Sequence, residues 1–253
     1  YDLVGRHLTA HRVPVARTLG MAATSYAFNV NFGALVGALA LKLRLYYGAG
    51  VDAATTARII GLSVITNWLG YLALGGTVLA WAPPPMPVQL AIGDAGVRLL
   101  GALMLAAAAT YLVLCATGPP GGRSLGWRHH RLQLPAGRVA LWQLAVAAGN
   151  WALMGVIVWL LLGQRVDFVT TLGVLLMAAV AGVVTHVPAG LGVIEAVFIA
   201  CLGAQVQQDA LLAALLAYRA TYYLLPLIPA TLGYALGGRR RGARQAEPPR
   251  RAA

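Results

Sequence analysis

An all-α integral membrane fold, a polytopic helical bundle with two oppositely oriented broken or re-entrant hairpins, follows from three features of this sequence. The chain is 59% hydrophobic and 10% charged, with a mean hydropathy of +0.73, against the roughly 25% charged usage of soluble domains. Its apolar runs approach or exceed the ~20 residues that cross a hydrocarbon core as a helix, and they lack the alternating ~10-residue pattern of a membrane barrel. Two of the runs are interrupted partway by residues that make poor helix interiors.

The first run, 18 to 47, contains Asn29-Val30-Asn31-Phe32-Gly33, where two amides and a glycine disfavour a continuous helix. Runs at 54 to 82 and 95 to 117 follow, separated by Ala-Pro-Pro-Pro-Met-Pro at 82 to 87. A Gly-, Pro- and Arg-bearing linker at 118 to 137 leads to a run at 138 to 163. The next two, 168 to 187 and 191 to 204, flank the break His186-Val187-Pro188-Ala189-Gly190-Leu191-Gly192. The last run is 210 to 236. Residues 1 to 237 therefore form one transmembrane domain, and the basic stretch 238 to 253 reads as a disordered tail.

The formal net charge is +12, and the bases cluster at Arg6 to Arg17, Arg123 to Arg138 and Arg239 to Arg251, all beside hydrophobic segments. That placement matches the positive-inside rule and argues for a membrane rather than nucleic acid as the partner. With all three clusters cytoplasmic, the runs at 54 to 82 and 95 to 117 go out and return. The first run must then begin and end inside, turning near Asn29 and Gly33. The run at 138 to 163 leads outward, so 168 to 204 begins and ends outside, and the last run delivers the tail to the cytoplasm.

Opposed, interrupted hairpins are the pointer to inverted repeats in transporters. A shift of 157 residues places Gly33 on Gly190, Val36 on Val193 and Asp52-Ala53 on Asp209-Ala210. A repeat also predicts a helix ahead of the first hairpin. The chain opens on Tyr1 with no charged n-region and h-region, and reads as the downstream part of a longer protein.

Charge placement singles out two residues. Asp52, Asp94, Asp167 and Asp209 each precede an apolar run, where a carboxylate caps free N–H groups. Asp2 and Glu247 lie near the chain ends, while Lys42, Arg44, Arg58, Arg98 and Arg165 lie close enough to segment ends to snorkel. Glu195 and Arg219 remain, at matched depth about the turn near residue 206, where a charge costs roughly 2.5–3.5 kcal/mol on insertion scales. They are expected to pair, either as a structural lock or as part of a wet site with Tyr218, Tyr222 and Tyr223. Cys115 and Cys201 read as buried small hydrophobes without metal or disulfide roles. His129 and His130 read as head-group contacts, and His186 as a proton or head-group ligand or, more simply, a helix-end cap.

The strings His-Val-Pro-Ala-Gly-Leu-Gly-Val-Ile-Glu-Ala from 186 and Tyr-Arg-Ala-Thr-Tyr-Tyr from 218, with the stretch from Ser25 to Gly50, resemble the transmembrane, flippase-type region of lysylphosphatidylglycerol synthases and of YbhN-like inner-membrane proteins. The resemblance implies that Pro188, Gly190, Gly192 and Glu195 form the hairpin motif, and that Tyr218, Arg219, Tyr222, Tyr223 and Pro226 mark the final helix. It places Asn31, Gly33, Gly37, Arg44 and Tyr46 on the first hairpin. Ala38 and Ala189 depart from it by standing where glycines are common.

What the resemblance implies is binding of an anionic, phosphatidylglycerol-like lipid or its aminoacylated derivative and its movement between leaflets, with no cofactor and with any lipid synthase encoded separately. No soluble aminoacyl-transferase domain is seen, nor a P-loop or a His-Glu-x-x-His or Gly-x-Ser-x-Gly arrangement, so synthase activity is not expected of this polypeptide. An intramembrane enzyme of lipid or polyprenyl-glycan metabolism and a non-transporting accessory subunit remain the alternatives.

Overall fold

Among the described residues, five helices are long and apolar enough to cross a membrane. The structure is a computed structural model that describes residues 1–33, 39–85, 93–119, 123–127 and 130–246. The chain runs through α1 (Asp2–Thr9), α2 (Val15–Phe32), α3 (Leu39–Tyr47), α4 (Ala53–Trp81), α5 (Asp94–Ala116) and α6 (Gly137–Leu161). It continues through α7 (Phe168–Thr185), α8 (Val193–Leu202), α9 (Gln208–Tyr218) and α10 (Leu225–Ala246).

The two halves share one plan. The elements α2 and α7 each have 18 residues, and each is followed across a break by a short arm, α3 of 9 residues and α8 of 10. At ~1.5 Å per residue a long arm covers most of the hydrocarbon thickness and a short arm about half of it. Within the first half α1, α2, α3 and α4 touch in the same pairs as α6, α7, α8 and α9 in the second. The spacing between corresponding helix starts, Val15 to Phe168 and Ala53 to Gln208, is a few residues shorter than the 157 suggested by matching identities.

Helix ends follow ordinary capping. Asp52 and Asp167 accept from the Thr55 and Thr170 amides, as expected of helix-starting acids. Hydrogen bonding from Thr55 and from Thr170 holds both carboxyls below the usual range. Asp94 and Asp209 instead lie inside the first turns of α5 and α9 without a side-chain cap bond, where their charge meets the positive dipole end.

The halves are joined through α4, α5 and α6 by close backbone approach. A Cβ added at Gly70 would sit 2.4 Å from the Ala147 Cβ, and one at Gly101 would sit 2.5 Å from the Ala80 nitrogen. Only glycine permits these crossings. A buried polar clamp adds direction: Gln143 donates to Thr66 Oγ1 at 2.7 Å and accepts from the Tyr111 hydroxyl at 3.0 Å. Apolar side chains from α6 to α9, among them Val158, Val174, Phe198, Leu202, Leu211 and Leu215, form the largest core cluster of the second half.

Four expectations need correcting. The amide pair does not break the first run, since α2 passes through Asn29 and Asn31 and ends only at Gly33 (φ 80°). The reason is local: Asn31 Nδ2 donates back to the Ala27 carbonyl at 2.8 Å, so the amide is absorbed by the helix. Residues 34–38, including Gly37 and Ala38, lie outside the described residues. The linker at 118 to 137 contains two antiparallel strands, β1 (Arg123–Trp127) and β2 (His130–Leu134), with Arg123 opposite Leu134. The final run is a helix interrupted by a π-turn at Arg219–Leu224. Finally, α10 carries the stretch read as tail as far as Ala246, consistent with its Arg, Ala and Gln content and the delay of the next proline to Pro248.

Candidate functional site

Three interrupted elements converge at one place. The break after α7 turns on a short 3-10 helix, Pro188–Gly190, with Pro188 at its first position. His186 (φ 55°), Ala189 (φ 55°), Gly190 (φ 58°) and Gly192 (φ 78°) are all left-handed. That conformation frees backbone carbonyls from helical bonding. The π-turn in the final helix arises where Pro226 and Pro229 cannot donate to the Tyr222 and Leu225 carbonyls, and the Leu225 amide reaches back five residues to the Ala220 carbonyl.

Arg219, the first residue of the π-turn, spans this gap. Its Nε donates to Glu195 Oε1 at 2.6 Å and its Nη2 to Glu195 Oε2 at 3.0 Å. Nη1 and Nη2 also donate to the Ala189 and Gly190 carbonyls, both at 2.9 Å. The guanidinium carbon lies 5.5 Å from the Tyr223 ring centroid. Four of the five N–H groups of the fork are thus committed, and the two side chains are only 12% and 16% exposed. The expected pairing of Glu195 with Arg219 is present, and it serves as a lock on the unwound hairpin.

The tyrosines form the wall beside the lock. Tyr218 stacks on Tyr222 with centroids 5.3 Å apart, and Tyr223 meets both edge-on. The Tyr218 hydroxyl is buried and has no hydrogen-bond partner among the described residues. From the first hairpin, the Tyr26 hydroxyl bonds the Tyr222 hydroxyl, and Asn31 Nδ2 donates to the Tyr223 carbonyl at 2.9 Å. Both hairpins therefore touch the same π-turn.

Other expected residues lie apart. His186 is exposed and stands at the C-cap of α7, where its backbone amide bonds the Val183 carbonyl and its ring Nδ1 lies 2.9 Å from the Val184 carbonyl. Arg44 sits 5.8 Å from the Tyr234 ring and ties α3 to α10. Asn29 contributes its carbonyl to the Gly33 amide. Among the described residues no group of His, Cys, Asp or Glu could hold a metal ion.

Charge counting along the chain missed a second buried ion pair. Lys42 on α3 meets Asp2 on α1 at 2.6 Å, with side chains 13% and 6% exposed. The Tyr46 and Ser63 hydroxyls donate to the same carboxylate at 2.8 and 3.0 Å. Asp2 is not a loose terminal charge and Lys42 does not snorkel. The available signal was Lys42, three residues inside the otherwise apolar start of Leu39–Tyr47, on the short arm corresponding to the one that carries Glu195. Tyr26 was also missed, although it lies five residues before Asn31 on α2.

Ala189 carries a prediction of its own, because a left-handed alanine costs roughly 1–2 kcal/mol that glycine does not pay. Ala189→Gly is expected to keep the Arg219 bonds, which use the backbone carbonyl, and to raise stability by about 1 kcal/mol in thermal unfolding. A decrease would show that the alanine methyl contributes more than its backbone strain.

No protein-family model matches the chain. It is 39% identical over 93% of its length to the inner membrane protein YbhN of Escherichia coli (strain K12), covering 74% of that protein. It is 30% identical to the uncharacterized protein slr0712 of Synechocystis, over 92% of this chain and 72% of that one. A shorter stretch, 34% of the chain, is 28% identical to 11% of the phosphatidylglycerol lysyltransferase of Staphylococcus xylosus. With five apolar spans among the described residues and a relationship over 93% of this chain and 74% of YbhN, the chain belongs to the YbhN family of bacterial inner-membrane proteins.

Proposed function

We propose that this protein binds an anionic phospholipid, phosphatidylglycerol-like or aminoacylated, and moves it between leaflets. The observation that carries the reading is Arg219, a partly buried guanidinium with two of its four bonds made to backbone carbonyls that a phosphate can replace. A phosphate offers paired oxygens that match the guanidinium fork better than two separate carbonyls do. As it binds, the Ala189 and Gly190 carbonyls are released and the second hairpin loses part of its anchor. The Tyr218 hydroxyl, unpartnered among the described residues, supplies a further donor beside Arg219. Glu195 then balances Arg219 or takes the cationic head group of an aminoacylated lipid.

The basic N-terminal stretch and C-terminal segment lie in the cytoplasm in this reading, placing the first hairpin on that side and the second on the other. The partial likeness to a phosphatidylglycerol lysyltransferase supports a lipid of that class. This chain acts as the transporter of that lipid.

The test is leaflet-resolved movement of fluorescent phosphatidylglycerol in proteoliposomes, with zwitterionic phosphatidylcholine, which has no net charge, as the control. Protein-dependent movement that prefers the anionic lipid and falls at least tenfold in Glu195→Gln and Arg219→Gln is expected. Rates equal to protein-free vesicles, or unchanged in both variants, would sink the proposal. A new lipid species by mass spectrometry would show an enzyme instead.

A further inference from the structure

We infer that Asn31 is a positioning residue: by holding the Tyr223 carbonyl it keeps the final helix in its π-turn, and thereby sets the register at which Arg219 meets the second hairpin. The inference deepens the lipid-transport reading, because it assigns to the first hairpin control over the lock on the second.

A π-turn carries one more residue per turn than an α-helix, so the residues on either side of it are rotated relative to a continuous helix. Converting it to α would turn Arg219 by about 100° relative to α10, one residue's step in a 3.6-residue turn. A guanidinium making bonds of 2.6 to 3.0 Å to four acceptors on α8 and the break does not survive such a rotation. The π form needs its carbonyls satisfied in some other way, and Asn31 supplies that at Tyr223, reaching 192 positions along the chain from α2.

Three features make Asn31 the control point rather than a passive contact. Its second donor bond, to the Ala27 carbonyl, fixes the amide orientation so that the remaining hydrogen points at Tyr223. It lies two residues before Gly33, where α2 ends, so a movement of the first hairpin about its break acts directly on it. Tyr26, on the same helix, holds the neighbouring Tyr222 hydroxyl, giving α2 a grip on two consecutive residues of the turn. The π-turn is then a shared element whose two ends are held by different hairpins, which is the coupling an alternating opening of two gates requires.

The experiment is amide hydrogen exchange by mass spectrometry on the full chain in lipid nanodiscs. Asn31→Leu keeps the volume and removes the donor. It is expected to raise exchange at least tenfold in the π-turn (219–224) and in the hairpin break (188–196), with α5 unchanged. In an Arg219→Gln background the same substitution is expected to add nothing at 188–196, because the effect travels through Arg219; a purely local packing role would alter α2 and leave the break alone. Pro226→Ala, which restores an amide for the Tyr222 carbonyl, provides a second route to the same exchange pattern if Asn31→Leu folds poorly.

Unchanged exchange at 188–196 in both variants would overturn the inference, as would additive effects in the Arg219→Gln background. Lipid movement is measured on the same samples. If exchange responds as expected while no variant moves lipid and neither does the parent, the positioning role stands and the transport reading fails.

Discussion

Arg219→Leu is expected to destabilise the protein by about 3–5 kcal/mol, the loss found when one member of a buried ion pair is removed and the other stays behind uncompensated. The stranded group is Glu195, only 16% exposed in the first turn of α8, where it loses both of its guanidinium partners. The Ala189 and Gly190 carbonyls lose theirs too. Glu195→Gln should cost somewhat less, since an amide oxygen can still accept from Nε, though Arg219 keeps an unbalanced charge. Arg219→Lys should fall between, because one ammonium cannot reach the four acceptors that the planar fork serves. The decisive comparison is the double change Glu195→Leu with Arg219→Leu. Removing both charges together relieves the desolvation cost, so the double variant should be more stable than either single one, with a coupling of about 2 kcal/mol or more in a double-mutant cycle. Thermal unfolding in detergent micelles or nanodiscs reads this directly. An Arg219→Leu protein that unfolds at the parent temperature would mean that the pair contributes no net stability, leaving only a transport role.

Much of this was legible along the chain because a bilayer makes charge and unwound backbone expensive. Glu195 and Arg219 stood out by that cost alone, and Pro188, Gly190 and Gly192 marked the second break because such residues do not sit in a continuous helix without a reason. The same logic failed at Asn29 and Asn31. An amide, unlike a proline, can return its hydrogen bond to the preceding turn, so composition did not reveal whether α2 was broken or intact. The π-turn was hidden for a related reason: Pro226 and Pro229 signal missing donors, but whether a helix answers by kinking or by widening depends on what is available nearby, here Asn31 from the other half of the chain. Asp2 was dismissed on its position in the sequence, and only the packing of α1 against α4 brings its carboxylate into the protein. Contacts between distant segments settle such cases, and local pattern does not contain them.

Asp2 also carries the second large expectation. Asp2→Ala should destabilise by about 3 kcal/mol, at the lower end of the range for a broken buried pair, because the flexible stem of lysine lets its ammonium turn toward water. Three donors lose one acceptor: the Lys42 ammonium, the Tyr46 hydroxyl and the Ser63 hydroxyl. Tyr46 is 0% exposed, so no water replaces the carboxylate there. Lys42→Met should be milder, because Asp2 keeps two hydroxyl donors and the apolar stem of Met fills most of the space left by lysine. That order, Asp2→Ala worse than Lys42→Met, separates a carboxylate-centred network from a simple ion pair, for which the two losses would be similar. Denaturation midpoints give the order, and amide exchange locates the damage: α3 should open while α8 stays protected, since the residues that reach the π-turn, Tyr26 and Asn31, lie on α2 and not on α3. If α8 opens as well, the two hairpins are already coupled at equilibrium through the π-turn, and the short arms act as one cooperative unit rather than as two gates with separate locks.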